Sequence, residues 1–89
     1  MTYRNESSSL TPLGATTFII QANRYPFPST FTLKSADATR KIEFSPDGGV
    51  EYFTPVYDVI SATMLVAGTK FGITHVKFTG LTTDTWSVA

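Results

Sequence analysis

Short runs in which apolar and polar side chains alternate recur along this chain with turn residues between them, and that rhythm constrains its fold most. A period of two puts every second side chain on one face of an extended strand. Ser29–Lys34 (STFTLK) sets Phe31 and Leu33 against Thr30, Thr32 and Lys34. Phe71–Thr79 (FGITHVKFT) sets Thr74, Val76 and Phe78 against Ile73, His75 and Lys77, and Asp84–Val88 puts Trp86 and Val88 together. Ala15–Gln21 (ATTFIIQ) is rich in β-branched and aromatic residues, which suit a pleated surface. Tyr57–Ala67 fits neither period; β-branched residues on both sides favour two short strands kinked at Ser61-Ala62 over a helix capped by Asp58.

Pro46-Asp47-Gly48 has the chemistry of a three-residue hairpin loop: Pro presets the turn and Gly takes a positive φ. With those residues as the loop, Arg40–Ser45 and Gly49–Thr54 pair so that Phe44 meets Val50 and Ile42 meets Tyr52. The same register predicts Glu43 across from Glu51. Together these elements predict an all-β chain, a small antiparallel β-sandwich or barrel of seven or eight short strands, immunoglobulin-like or jelly-roll-like.

With 89 residues there is room for one domain. Residues 1–14 are polar and end in Leu10-Thr11-Pro12-Leu13-Gly14, which reads as an extended N-terminal arm; residues 15–89 form the domain. A chain this short buries only about 60–65% of its unfolded surface, so a partner subunit helps to hold it. Fifteen Thr and eight Ser against 16% charged residues give an uncharged, β-branched exterior. No apolar run approaches the roughly 20 residues of a spanning helix, and the N-terminus has no apolar leader region. The expected site of synthesis is therefore the producing cell's cytosol.

Most catalytic chemistries lack their residues. There is no cysteine for a nucleophile, disulfide or zinc ligand, and His75 is the sole histidine, which reads as a surface strand residue. Glu43 and Glu51 on an exposed hairpin have no cavity that would set one as acid and the other as base. Asp47-Gly48-Gly49 offers one carboxylate where a calcium loop needs several, and phosphate-cradling glycine motifs are absent from the sequence. The expectation is a non-enzymatic protein without cofactor or metal. Seven basic against seven acidic residues cancel, which removes the attraction that nucleic-acid binders use.

Binding through aromatics fits better, since twelve are present. Periodicity assigns Trp86 and Tyr52 to the core. Tyr25 and Phe27 sit in the proline-stiffened loop Arg24-Tyr25-Pro26-Phe27-Pro28, where an aromatic ring is placed for contact. Together with Tyr3 and Leu10 of the arm they are the candidate partner-binding residues.

The stretch Lys41–Pro55 (KIEFSPDGGVEYFTP), with Ser61-Ala62-Thr63-Met64, Val76-Lys77-Phe78-Thr79-Gly80 and Asp84-Thr85-Trp86, resembles small all-β accessory proteins of tailed-bacteriophage virions. The resemblance spans about half the chain. It implies a virion structural protein: a capsid decoration or cement protein, or a small tail component, that adheres to other virion subunits such as the major capsid protein. It carries over no catalytic residue. Symmetric homo-oligomers, trimers among them, are a common way for such domains to gain buried surface. The alternative is a carbohydrate- or receptor-binding module of a tail or fibre. An inhibitor of a host enzyme is a third reading, with no specific residue behind it.

Overall fold

The computed structural model describes residues 11–69 and 72–89. Eight strands follow one another: β1 (Thr11–Pro12), β2 (Thr17–Gln21), β3 (Thr30–Lys34), β4 (Lys41–Ser45), β5 (Val59–Ile60), β6 (Met64–Gly68), β7 (His75–Thr79) and β8 (Thr85–Val88). A 3-10 turn, Ala22–Arg24, follows β2. The strands make two antiparallel sheets, one of five strands in the order β1-β8-β3-β6-β5 and one of three in the order β2-β7-β4. They do not close into a barrel, so the barrel form of the expected fold is set aside.

Alternation decides which side chains meet between the sheets. Phe31 and Leu33 of β3, Leu65 and Ala67 of β6, and Trp86 and Val88 of β8 are buried from the five-stranded side. Ile42 and Phe44 of β4 and Val76 and Phe78 of β7 are buried from the other. The Phe31 ring lies 6.3 Å from both the Phe44 and the Phe78 rings, and Phe78 stacks on Trp86 at 5.5 Å. Each such side chain removed from water contributes about 1.5–3 kcal/mol, and that drives the two sheets together.

The hairpin expected at residues 46–48 takes another form. Phe44 exchanges both backbone hydrogen bonds with Phe53, each 2.9 Å, and not with Val50. The return chain is thus displaced by three residues. An odd displacement turns the opposite set of side chains inward. Val50 is 79% exposed, and Tyr52 lies over the outer face of the three-stranded sheet instead of facing Ile42. The partner of β4 is β7, with Glu43 opposite Lys77, which replaces the expected Glu43–Glu51 pairing of like charges by one of opposite charges.

The intervening loop is organised by Asp47. Its Oδ1 accepts from the Ser45 hydroxyl at 2.8 Å and from the amides of Val50 and Glu51 at 3.2 and 3.0 Å. Gly48 and Gly49 hold φ of 82° and 90°, the left-handed region that favours glycine.

The free edge of β4 is closed by the chain that follows. The Tyr57 hydroxyl accepts from the Ile42 amide at 3.1 Å and donates to the Ile42 carbonyl at 3.0 Å. One side chain takes the place of a neighbouring strand there. Tyr57–Ala67 does form two short strands, β5 and β6, joined by a turn in which the Ser61 amide donates to the Met64 carbonyl at 2.9 Å.

Residues 11–14, assigned to the arm from sequence, are part of the folded body. Thr11 and Pro12 pair with Trp86 and Thr85, Leu13 is buried, and its amide donates to the Asp84 carbonyl at 2.8 Å.

Candidate functional site

The proline loop runs out of the 3-10 turn, whose Ala22 carbonyl accepts from the Tyr25 amide at 3.0 Å. The loop contains a cis Phe27–Pro28 bond. It is latched to the end of β6: the Thr69 hydroxyl accepts from the Ser29 amide and donates to the Ser29 carbonyl, both at 3.0 Å. The Ser29 hydroxyl donates back to the Pro26 carbonyl. Tyr25 is half-buried, its ring edge-on to Phe31 at 6.1 Å, while Phe27 is 58% exposed.

Tyr25 and Phe27 therefore share one cleft of about 360 Å³, completed by Ala22, Thr69, Ile73 and Thr74. The Thr69 and Thr74 hydroxyls both serve backbone groups of the protein itself. The cleft offers apolar contact, with the Asn23 amide at its margin. Of the candidate contact residues, the structure brings Tyr25 and Phe27 together; Tyr3 and Leu10 lie outside the described residues.

A second surface is one the sequence reading passed over. Val50, Phe53, Val56, Val59 and Ile60 are all exposed, at 79, 44, 91, 41 and 66%. Successive members are at most three residues apart, which holds neighbouring Cα atoms within about 11 Å. The series begins on the Asp47 loop, passes the closed edge of β4, and ends on β5, the outer strand of the five-stranded sheet. On β5 the series divides, Ile60 lying on the face of buried Leu65 and Val59 on the face of Val66, so it marks an exposed apolar edge and not a single face. The signal was present in the sequence: Pro55 breaks the strand reading of Gly49–Thr54, and the apolar residues beyond it do not alternate.

His75 sits under the Asp47 loop. Its Nδ1 lies 3.0 Å from the Thr74 hydroxyl, which already donates to the Ser45 carbonyl and accepts from the Gly48 amide. Nδ1 must therefore carry a proton, and in the neutral ring Nε2 is the acceptor. Nearby, the Lys77 ammonium lies 4.2 Å from the centre of the Tyr52 ring. Burial, then the negative charges of Asp47 and Glu43, push the Tyr52 phenol above its ordinary pKa. The Asp47 carboxyl is held below its ordinary value, first by the Glu51 amide and then by the Ser45 hydroxyl. These contacts secure the loop. Among the described residues no group of three His, Cys, Asp or Glu side chains is placed to hold a metal, and no helix is long and apolar enough to cross a membrane.

Comparison with protein-family models, with characterised proteins and with solved structures finds no match to this chain. Function must be argued from the two surfaces themselves.

Proposed function

We propose that this chain is a non-enzymatic structural protein that works by adhesion. In the virion that its sequence resembles, that work is capsid decoration: a two-sheet sandwich, immunoglobulin-like or jelly-roll-like, seated across neighbouring capsid subunits. The carrying observation is the run of five exposed apolar side chains from Val50 to Ile60. A domain of 89 residues has little apolar surface to spare, and leaving this much in water is a cost that a partner's surface removes. Tyr3, Leu10, Tyr25 and Phe27 are the proposed supplementary contacts.

The test is immunogold electron microscopy of phage particles from the producing cell, with antibody raised against the chain. Label over the head supports decoration, and absence of label from particles refutes it. Val56→Asp and Ile60→Asp should abolish attachment while the β-type circular dichroism is kept. Removing residues 1–10 tests the arm; the cut stops there because Thr11–Leu13 belong to the fold.

A second reading is favoured by the cleft that joins Tyr25 and Phe27. Rings beside an apolar floor suit a sugar face or a receptor loop at a tail fibre. This reading expects label at the tail tip and a glycan affinity that Phe27→Ala removes.

A further inference from the structure

The domain has two opposite flanks that complement each other, and we infer that copies of this chain join head to tail, the Val50–Ile60 strip of one on the β2 flank of the next. The inference rests on the adhesive reading of that strip and names a second copy as an occupant. Charge is divided between the flanks. Residues 42–69 contain Glu43, Asp47, Glu51 and Asp58 and no Lys or Arg. Residues 7–36 contain Arg24 and Lys34 and no Asp or Glu. A net charge of zero conceals this separation.

Around the strip, Glu51 and Asp58 are exposed. Of the bases that other elements bring near it, Lys41 at the start of β4 is exposed, while Arg40 and Lys77 are engaged. Arg40 donates to the Asp37 and Ser61 carbonyls at 3.0 and 2.9 Å, and Lys77 lies on the Tyr52 ring, opposite Glu43. The strip is thus apolar with an acidic margin.

The other flank has the reverse character. β2 is an outer strand of the three-stranded sheet, and its Phe18 packs on Trp86 of β8 at 5.5 Å. That contact sets β2 over the β1–β8 end of the five-stranded sheet, with β5 at the far end. Here Ile19 is 49% exposed beside a groove of about 300 Å³ lined by Ile19, Ile20, Gln21, Arg24 and Tyr25. The Arg24 Nε donates to the Gln21 side-chain oxygen at 2.6 Å, which holds the guanidinium at the groove. This flank presents one exposed apolar side chain, Ile19, between the exposed Thr17 and Gln21, with Arg24 as its cation.

Pairing strip with strip, as a twofold dimer requires, would set Glu51 and Asp58 against their own copies. Pairing strip with groove joins opposite charges and covers both apolar surfaces. A standard interface takes about 800 Å² from each partner. The surface is 5114 Å² and the molecule spans 30 × 30 × 23 Å, room enough for two such contacts on opposite sides. A contact between two different surfaces leaves one of each free, so it propagates as a chain or closes as a ring.

Sedimentation velocity of the purified protein over a range of concentrations tests the inference. Mass should rise with concentration and fall back at about 1 M salt, where the screening length shrinks to about 3 Å. Ile60→Asp removes the strip and Ile19→Asp the groove; both positions are exposed, and thermal melting checks that each variant folds. Each alone should be monomeric, with association weakened about tenfold or more, equivalent to about 1.4 kcal/mol. Mixed together they should form a one-to-one dimer, since each keeps the surface the other lacks. Arg24→Glu and Val56→Asp should repeat the result. A wild-type protein that stays monomeric, or variants that fail to combine, would overturn head-to-tail joining. The particle-labelling experiment would still stand as the separate judge of adhesion.

Discussion

Removing one oxygen from Tyr57 isolates the closure of the β4 edge. Tyr57→Phe keeps the ring and deletes the hydroxyl that serves both backbone groups of Ile42, at 3.1 and 3.0 Å. Ile42 itself is fully buried, whereas Tyr57 is half-buried, so water reaches the gap only in part. Two hydrogen bonds at about 0.5–1.5 kcal/mol each set a loss of about 1–3 kcal/mol, the upper end applying where water fails to replace the hydroxyl. For a domain of this size that lowers the melting temperature by roughly 4–8 °C per kcal/mol. Urea unfolding followed by fluorescence of Trp86, the single tryptophan, stacked on Phe78 in the core, measures it directly. The midpoint should fall with an unchanged slope, and the open edge should raise the tendency to aggregate. A loss below about 0.3 kcal/mol would refute the role assigned to the hydroxyl, because neutral surface changes already vary by about ±0.5 kcal/mol. Tyr52→Phe, whose ring sits under Lys77, serves as the control.

Leu13→Ala should cost about 2–5 kcal/mol in the same assay, as for a core leucine, and a near-zero loss would return residues 11–14 to the arm. Gly49→Ala should destabilise by more than about 1 kcal/mol, since φ is 90° and the added carbon would sit 3.2 Å from the Tyr52 hydroxyl. Because the folded pKa of Asp47 is lowered, its stabilisation of the loop is present above the ordinary aspartate value and is lost as pH falls through the folded one. Amide resonances of Val50 and Glu51 should shift in that acid range and lose the response in Asp47→Asn. Nitrogen chemical shifts of neutral His75 should report the Nδ1–H tautomer; the Nε2–H form would contradict the Thr74 assignment.

Strand identity was legible where alternation is strict, because burial follows it residue by residue: Phe31 and Leu33, Val76 and Phe78, Trp86 and Val88 all fill the core. Pairing was not. The turn chemistry at Pro46-Asp47-Gly48 is local and correctly places glycine at positive φ, but it says nothing of how far the chain runs before returning. The apolar residues of Gly49–Thr54 fit two registers of opposite parity. The Asp47 carboxylate, binding three groups of its own loop, selects the wider one. The partner of β4 lies some thirty residues away in β7, beyond any local signal. Proline stiffening pointed to Tyr25 and Phe27, and they do share a cleft. Apart from Val56, the strip falls in segments whose composition predicts strand, because the same residue types serve both purposes until burial is known.

The order of strands in the two sheets also bears on how the protein is made. β7 is the shared neighbour of β2 and β4, and β8 joins β1 to β3. Among the described residues neither β2 nor β4 pairs with a strand other than β7, so the three-stranded sheet waits for residues 75–79 to emerge from the ribosome. With synthesis at about 5–20 residues per second, β2 and β4 wait for seconds with their apolar faces open. Folding dominated by such distant pairings is itself slow, on the scale of milliseconds to seconds. A chain stalled before β7 could already pair β3 with β6 but would present β2 and β4 as unpaired strands, the material from which aggregates grow.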